Sequence, residues 1–256
     1  MPAPGHALTL TAVPGVPAIA PGDDLPAILC HALQGAGLVP AARDVLVVSH
    51  KVISKAEDRY ADLASVIPGE RALALAARTD KDPRLVELIL QESRQVLRHR
   101  RGLIVVEHRL GMVMANAGID HSNVDGDGER VLRLPLDPDA SAGAIRAALE
   151  DRFGAEQAVV VCDSVGRAFR NGVVGLAIGV AGLPAVLDLR GERDRAGREL
   201  KVTTVGFADQ VASAAELVMG EGAEGTPAVL VRGLHWDQPP GNAGALVRER
   251  AEDLFR

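Results

Sequence analysis

Between Asn116 and Gly128 the chain reads Asn-Ala-Gly-Ile-Asp-His-Ser-Asn-Val-Asp-Gly-Asp-Gly, placing Asp120, Asp125 and Asp127, two amides and three glycines within thirteen residues. No helical or strand period runs through it, so it reads as a loop or tight turn. Short polar side chains and glycine are what a backbone needs to wrap a bound ion. A calcium loop of the EF-hand kind can be tested on spacing. Counted from Asn123, oxygen donors fall at the first, third and fifth places and Gly128 at the sixth. The twelfth place is Leu134 rather than glutamate, and no helical pattern precedes the loop. The EF-hand is excluded. The Asp-Gly-Asp-Gly end also reads as a solvated turn, whereas the front half, Asn116 to Asn123, is a candidate divalent-cation site built on Asp120.

Two more carboxylates share this setting, each just past an apolar element in a glycine-bearing turn. Asp163 follows the run Ala158 to Cys162, and Glu221 follows Ala208 to Met219. With Arg167 and Arg170 nearby, the three acids suggest a metal and phosphate site carried on loops; surface charge is the other reading of the two arginines. Gly220-Glu221-Gly222-Ala223-Glu224-Gly225 matches Gly-x-Gly-x-x-Gly, but a helix precedes it and a strand follows, the reverse of a dinucleotide fingerprint. A helix C-terminus presents carbonyls and favours cations. A metal bridging to phosphate therefore suits this loop better than amides cradling phosphate, and a plain glycine-rich helix stop is the alternative. No Gly-x-x-x-x-Gly-Lys-Ser/Thr occurs, which excludes a P-loop.

The elements that must position these residues follow from periodicity and capping signals. Strands are expected over Ala7–Val13, Val45–Ser49, Leu103–Glu107 with Met112–Ala115 as a hairpin, Val131–Leu134, Ala158–Cys162, Val173–Gly182, Glu199–Val205 and Pro227–Val231. Gly175, Gly179 and Gly182 suggest a close-packed, bulged strand. Helices are expected from Asp23 or Asp24 to about Gly35, over Glu70–Arg78, from Asp82-Pro83 to about His99, from Asp137 to Phe153, over Ala208–Met219, and as a polar amphipathic tail from Asn242. Ser49 to Arg59 mixes polar and apolar residues at a strand's end. The order is α+β, without the βαβ beat of a doubly wound sheet.

Composition narrows the function classes. The 256 residues are 47% hydrophobic, enough for a sizeable core, and no apolar run approaches a membrane span. Net charge is −6 and aromatics are 2%, which argues against nucleic acid as a partner. Cys30 and Cys162 stand in no metal or redox spacing and read as core thiols. The N-terminus lacks a signal-peptide layout, so a cytoplasmic location is expected.

Several unusual motifs, in order, carry a resemblance. They are Gly15-Val16-Pro17, Gly22-Asp23-Asp24-Leu25, Ser54-Lys55-Ala56-Glu57-x-Arg59 and Asn116-Ala117-Gly118-Ile119-Asp120-x-Ser122-Asn123. They continue through Asp163-Ser164-x-Gly166-Arg167-x-Phe169-Arg170-x-Gly172, Ala177-Ile178-Gly179, Glu199-Leu200-x-Val202-Thr203, Glu216-Leu217-Val218-Met219-Gly220-Glu221 and Arg232-Gly233. Nearly end to end, the chain resembles the coenzyme F(420)-0:L-glutamate ligase family, the gamma-glutamyl ligases.

The resemblance implies a family-specific α+β mixed-sheet fold of two subdomains, one ligase unit over 1–256, assembled as an intertwined homodimer. It implies GTP as co-substrate, two divalent cations (Mg or Mn), and K. Metal ligands would correspond to Asp120, Asp163, Ser164 and Glu221. Nucleotide contacts would correspond to Pro14, Gly15, Val16, Pro17, His50, Lys51, Lys55, Asn123, and Met219, Gly220, Glu221, Gly222, Ala223, Glu224, Gly225 and Thr226. Lys55, Asp120 and Asp163 are the catalytic candidates, with Arg167 and Arg170 expected to bind substrate. The substrates would be coenzyme F(420)-0 and L-glutamate, joined through an acyl phosphate. Asp58 stands where the family has glycine, at a place suited to left-handed backbone. Some relatives carry a C-terminal flavin reductase domain, which is not expected here. A non-catalytic metal- and nucleotide-binding regulator, or a ligase for another acyl acceptor, are the competing readings.

Overall fold

The computed structural model describes residues 7–120 and 129–254. In chain order the elements are β1 (Thr9–Ala12), α1 (Leu25–Gly35), β2 (Val45–Ser49), α2 (His50–Ala56), β3 (Tyr60–Asp62), α3 (Glu70–Thr79), α4 (Pro83–Gln91), β4 (Ser93–Arg100), β5 (Leu103–His108) and β6 (Val113–Ala115). After the 121–128 segment come β7 (Arg130–Leu132), α5 (Pro138–Phe153), β8 (Ala158–Gly166), β9 (Val173–Ala181), β10 (Leu187–Asp188), β11 (Thr204–Val205), α6 (Phe207–Met219) and β12 (Ala228–Arg232). The fold is α+β. No helix among the described residues is long and apolar enough to cross a membrane.

A five-stranded sheet of order β1-β12-β2-β8-β9 is the frame, antiparallel except where β2 and β8 run parallel. Its central strands are continuous apolar runs because both faces are covered. Along β2, Leu46 and Val48 pack with Leu29 and Leu33 of α1 and Ile145 and Leu149 of α5. Val45 and Val47 pack on the opposite face with Val211, Ala212 and Ala215 of α6. The two-residue period of a strand sorts the valines between these layers. A third apolar cluster, separate from both, joins α3, α4, Ile104, Val106, Ile119 and Val131. Aspartates cap α1, α4 and α5: Asp24, Asp82 and Asp137 accept from backbone N–H groups of the first turn, each with proline at the helix start.

Four expectations need correction. The helix from Asp82 ends at Gln91 rather than His99, and Ser93–Arg100 is a strand paired with β5. Beyond Leu90 apolar residues no longer recur at helical spacing, and Val96 packs on the third cluster from a strand instead. The turn from helix to strand is fixed by Glu92, whose carboxylate takes Arg59 and Arg109 at 2.8 Å each and Arg133 at 3.5 Å. Burial alone would raise its pKa. His108, its Nε2 3.7 Å away, together with the hydrogen bond from Arg109 and the charges of Arg59 and Arg109, outweighs burial and holds it at about 2.

The tail from Asn242 forms short 3₁₀ turns, Ala243–Leu246 and Arg250–Glu252, in place of an amphipathic helix. Tertiary anchors override the pattern there: the Ala243 N–H donates to Asp139, and Val247 packs on Gly111. Of the strand expected over Glu199–Val205 only Thr204 and Val205 form a strand, while Glu199 makes an isolated antiparallel bridge with Arg193 and Gly191 donates to the Leu200 carbonyl in the turns before it. Finally, Asp163 does not follow its strand. It lies within β8, which stays paired with β9 as far as Gly166. His50 to Ala56, whose mixed pattern carried no assignment, is a helix capped by Ser49.

The bulge expected in β9 sits at Ile178, where the ladder steps from Gly179 to Ala177 against consecutive residues of β8. Gly179 is there because α5 presses on it: a Cβ would stand 2.3 Å from the carbonyl oxygen of Pro138. Gly179→Ala is expected to lower stability by about 2–3 kcal/mol through this overlap. Urea unfolding checks it, and an unchanged midpoint would contradict the packing.

Candidate functional site

The site forms where β2 stops. The last β2–β8 pair is Ser49 with Cys162, after which the chain turns into α2. From Asp163 onward β8 therefore pairs with no strand on that side among the described residues, and a cleft of about 450 Å³ opens beside it. Alternation along β8 sends Asp163 and Ser164 to opposite faces. Asp163 meets the buried His50, whose Nε2 lies 3.2 Å from Oδ1. His50 Nδ1 is 3.4 Å from Ser54 Oγ, one turn on. Ser164 faces α6 instead, with Oγ 3.0 Å from Glu216 and 2.8 Å from Glu221.

Helix α2 supplies the cations. Lys51 and Lys55, one turn apart on the same face, both line the cleft with Val16 and Pro17. The far wall is the loop Met219 to Thr226, where the Gly222 N–H donates to Glu224 at 2.8 Å. Pro14 and Gly15 fall on the other side of their turn and line a separate recess against Ile28, Ala32 and Gly35 of α1.

Asp120 reaches the site from the other core. Its backbone makes a two-way bridge with Leu132, at 2.9 and 2.8 Å. Just before it, Asn116, Ala117 and Gly118 all hold positive φ (50°, 55° and 64°), a left-handed turn seated by the Ile104 N–H donating to Asn116 Oδ1. Left-handed backbone at a buried alanine is costly and is kept where the surroundings over-determine it. Asp120 Oδ2 lies 2.8 Å from Lys51 Nζ.

These distances bear on whether cations suit the residues present. Among the described residues no three His, Cys, Asp or Glu side chains enclose an ion-sized site by themselves. The donor set nevertheless carries more negative charge than it neutralises. Glu216 is raised to about 7, chiefly by burial and further by the charges of Glu221 and Asp163. Asp120 already holds an ammonium. Hard carboxylate and hydroxyl oxygens with surplus negative charge fit Mg or Mn.

Expected site residues thus separate into groups. His50, Lys51, Lys55, Asp163, Ser164, Val16, Pro17 and the 219–226 loop share one cleft, and Asp120 is tied to it through Lys51. Arg167 and Arg170 lie at the end of the β8–β9 hairpin, outside the cleft lining, where Arg167 donates to the Gly172 carbonyl. Asn123, with Ser122, Asp125 and Asp127, lies outside the described residues. Asp58 has φ 51°, the left-handed conformation for which glycine is the easier residue. Glu216 is the cleft residue that the sequence did not single out as a ligand. Its signal was being the sole acid in the apolar run Val211 to Met219.

Because Glu216 titrates near 7 folded and near 4.5 unfolded, the folded protein binds more protons between those values. Stability should therefore fall as pH rises from about 5 to 8 in chelator. Glu216→Gln should remove that slope and exceed the parent by about 1–2 kcal/mol at pH 8, after allowing for solvent screening of a half-exposed group. Urea unfolding across pH measures this, and parallel profiles for the two proteins would contradict it.

Comparison with known proteins gives this geometry a family. The model of the F(420)-0:gamma-glutamyl ligase family matches residues 15–233. The chain is 45% identical over 251 residues to the coenzyme F(420):L-glutamate ligase of Methanothermobacter thermautotrophicus, covering 97% of this chain and 99% of the relative. It is 44% identical over 253 residues to the enzyme of that name from Methanopyrus kandleri, covering 97% and 98%. The Methanocaldococcus jannaschii relative is 42% identical over 213 residues, covering 83% and 84%. The elements that build the cleft, from the Gly15 turn to β12, lie inside the matched span, and the chain belongs to the F(420)-0:gamma-glutamyl ligase family.

Proposed function

We propose that this protein is a GTP-dependent ligase that adds L-glutamate by γ-linkage to the deazaflavin coenzyme F(420)-0, releasing GDP and phosphate. The observation that carries the reading is the single cleft joining two lysines of α2, the acids of β8 and α6, and the 219–226 loop. Family membership and the relatives' names supply the substrates.

A carboxylate and an amine do not condense in water without activation. In the proposed sequence a terminal carboxylate oxygen of the coenzyme attacks the γ-phosphorus of GTP, and the bond to the β-phosphate oxygen breaks to leave GDP. The glutamate amine then attacks the acyl carbon of the acyl phosphate. The carbon–oxygen bond to phosphate breaks, and the amine's proton passes to a carboxylate or to water. Such chemistry needs positioning and charge neutralisation more than covalent help from the protein.

Asp120, Asp163, Ser164 and Glu221 are the residues that would hold two divalent cations, Mg or Mn, with K as a further ion. When bound, these ions supply charge neutralisation on the phosphates. Lys55 and Lys51 add positive charge on the α2 wall. His50, buried and 3.2 Å from Asp163, holds that carboxylate's orientation. The Met219–Thr226 loop and the Val16–Pro17 edge confine the nucleotide between them, with Pro14, Gly15 and Asn123 as further contacts. Arg167 and Arg170 would meet an anionic substrate only if it extends along the β8–β9 hairpin. On this reading the third apolar cluster belongs to a second subdomain, and the whole chain is one ligase unit that works as a homodimer.

Mass spectrometry of F(420)-0 after incubation with GTP, Mn and glutamate tests the reading. The parent should add glutamyl units and Asp120→Asn should not, because Asn keeps the size of Asp but loses the charge that holds a hard cation. A loss of several kcal/mol in transition-state stabilisation, roughly a thousandfold in rate or more, is expected with little change in melting. A variant that melts like the parent and ligates within about tenfold of its rate would remove Asp120 from the site. No glutamyl addition by the parent would overturn the function.

A further inference from the structure

Glu216 lies outside the set of cation ligands above, yet it touches one of them, Ser164, which in turn touches a second. Its Oε1 is 3.0 Å from Ser164 Oγ, and that same Oγ is 2.8 Å from Glu221 Oε1. A serine hydroxyl has one hydrogen and two lone pairs, so it can donate to only one of the two carboxylates. The carboxylates differ in how they are held. Glu221 is exposed and sits on the glycine loop, free to turn toward an ion. Glu216 projects from α6 and is confined against β9, where a Cβ on Gly175 would stand 2.8 Å from Glu216 Cδ and 2.7 Å from the Ala212 backbone. The bare backbone at Gly175 is what lets Glu216 reach β8. Ser213, on the same helix, donates to the Gly175 carbonyl at 2.7 Å and fixes the approach.

We propose that Glu216 is a positioning residue for the cation centre: it takes the hydroxyl hydrogen of Ser164 and so turns the lone pairs of that oxygen toward the ion shared with Glu221. A hydroxyl whose hydrogen is already committed to a fixed acceptor is a better ligand than one free to rotate. Groups that orient a ligand in this way typically change metal affinity 10–100-fold when removed. This deepens the proposed function and rests on its assignment of Ser164 and Glu221.

The experiment is Mn titration by calorimetry, without nucleotide, on the parent, Glu216→Ala, Glu216→Gln, Ser164→Ala and the Ser164→Ala/Glu216→Ala double variant, each first shown to melt cooperatively. Glu216→Ala should bind Mn about 10–100-fold more weakly than the parent. Glu216→Gln retains a carbonyl acceptor and should bind within about threefold of the parent, a difference under ~0.7 kcal/mol. The double variant should bind no more weakly than Ser164→Ala, since Glu216 acts through that hydroxyl. If the parent binds Mn and Glu216→Ala stays within about threefold of it, the positioning role is wrong while the ligand assignment stands. If Glu216→Gln is as weak as Glu216→Ala, or the two single losses add, Glu216 acts by its charge or as a ligand itself, and the proposal is overturned. A parent that binds no Mn removes the cation centre and this inference with it.

Discussion

The constraint on which the site depends is the crowding of acids at the open end of β8. Glu216 and Glu221 converge on Ser164, with Asp163 next to it on the opposite face of β8, where the sheet loses β2 as a neighbour. Burial, with the like charges of Glu221 and Asp163 adding to it, disfavours ionisation, which is why Glu216 stands at about 7 rather than in the usual carboxylate range. The protein offsets part of this with His50 against Asp163 and Lys51 against Asp120, both from α2. An arrangement that leaves negative charge over is poorly suited to stability alone. On the proposed function it would hold the cations that a polyanionic nucleotide also needs, which would let an acidic chain take anionic substrates.

The position of α2 is consequential for the same reason. Its start faces the cleft, while Arg59 just beyond its end is locked to Glu92, with Arg109 and Arg133 on the same carboxylate. Breaking one partner of so buried a cluster leaves uncompensated charge, so the cluster resists displacement. Arg133 follows Leu132, which bridges Asp120. One continuous set of contacts thereby runs from the helix carrying Lys51 to the strand that seats the carboxylate opposite it.

Much of this was legible in the residues. The apolar runs Val45–Ser49 and Ala158–Cys162 marked the central strands because both faces are buried, and Asp-Pro pairs marked helix starts because capping is local. The acids at 120, 163 and 221 stood out by type and setting. What escaped was decided by distant partners. Ser93–Arg100 is a strand because β5 and the Glu92 cluster make it one, and nothing within those residues says so. The tail from Asn242 has helical amphipathicity but is held by Asp139 and Gly111 instead. Asp163 looked like a turn residue because its glycines suggest one, whereas β9 keeps it in the ladder. Glu216 was hidden by lying inside a helix, where a lone acid carries no positional meaning until the facing strand is known.

The central claim is that the acids of β8 and the 219–226 loop, together with Asp120, form one cation centre. Diffraction from crystals grown with Mn and GTP, recorded at the manganese edge, tests it most directly. The account predicts anomalous density in contact with Asp120 and Asp163 and with Ser164 and Glu221, beside the lysines of α2. Nucleotide bound with no anomalous density at these residues, or with manganese held elsewhere on the chain, would contradict it.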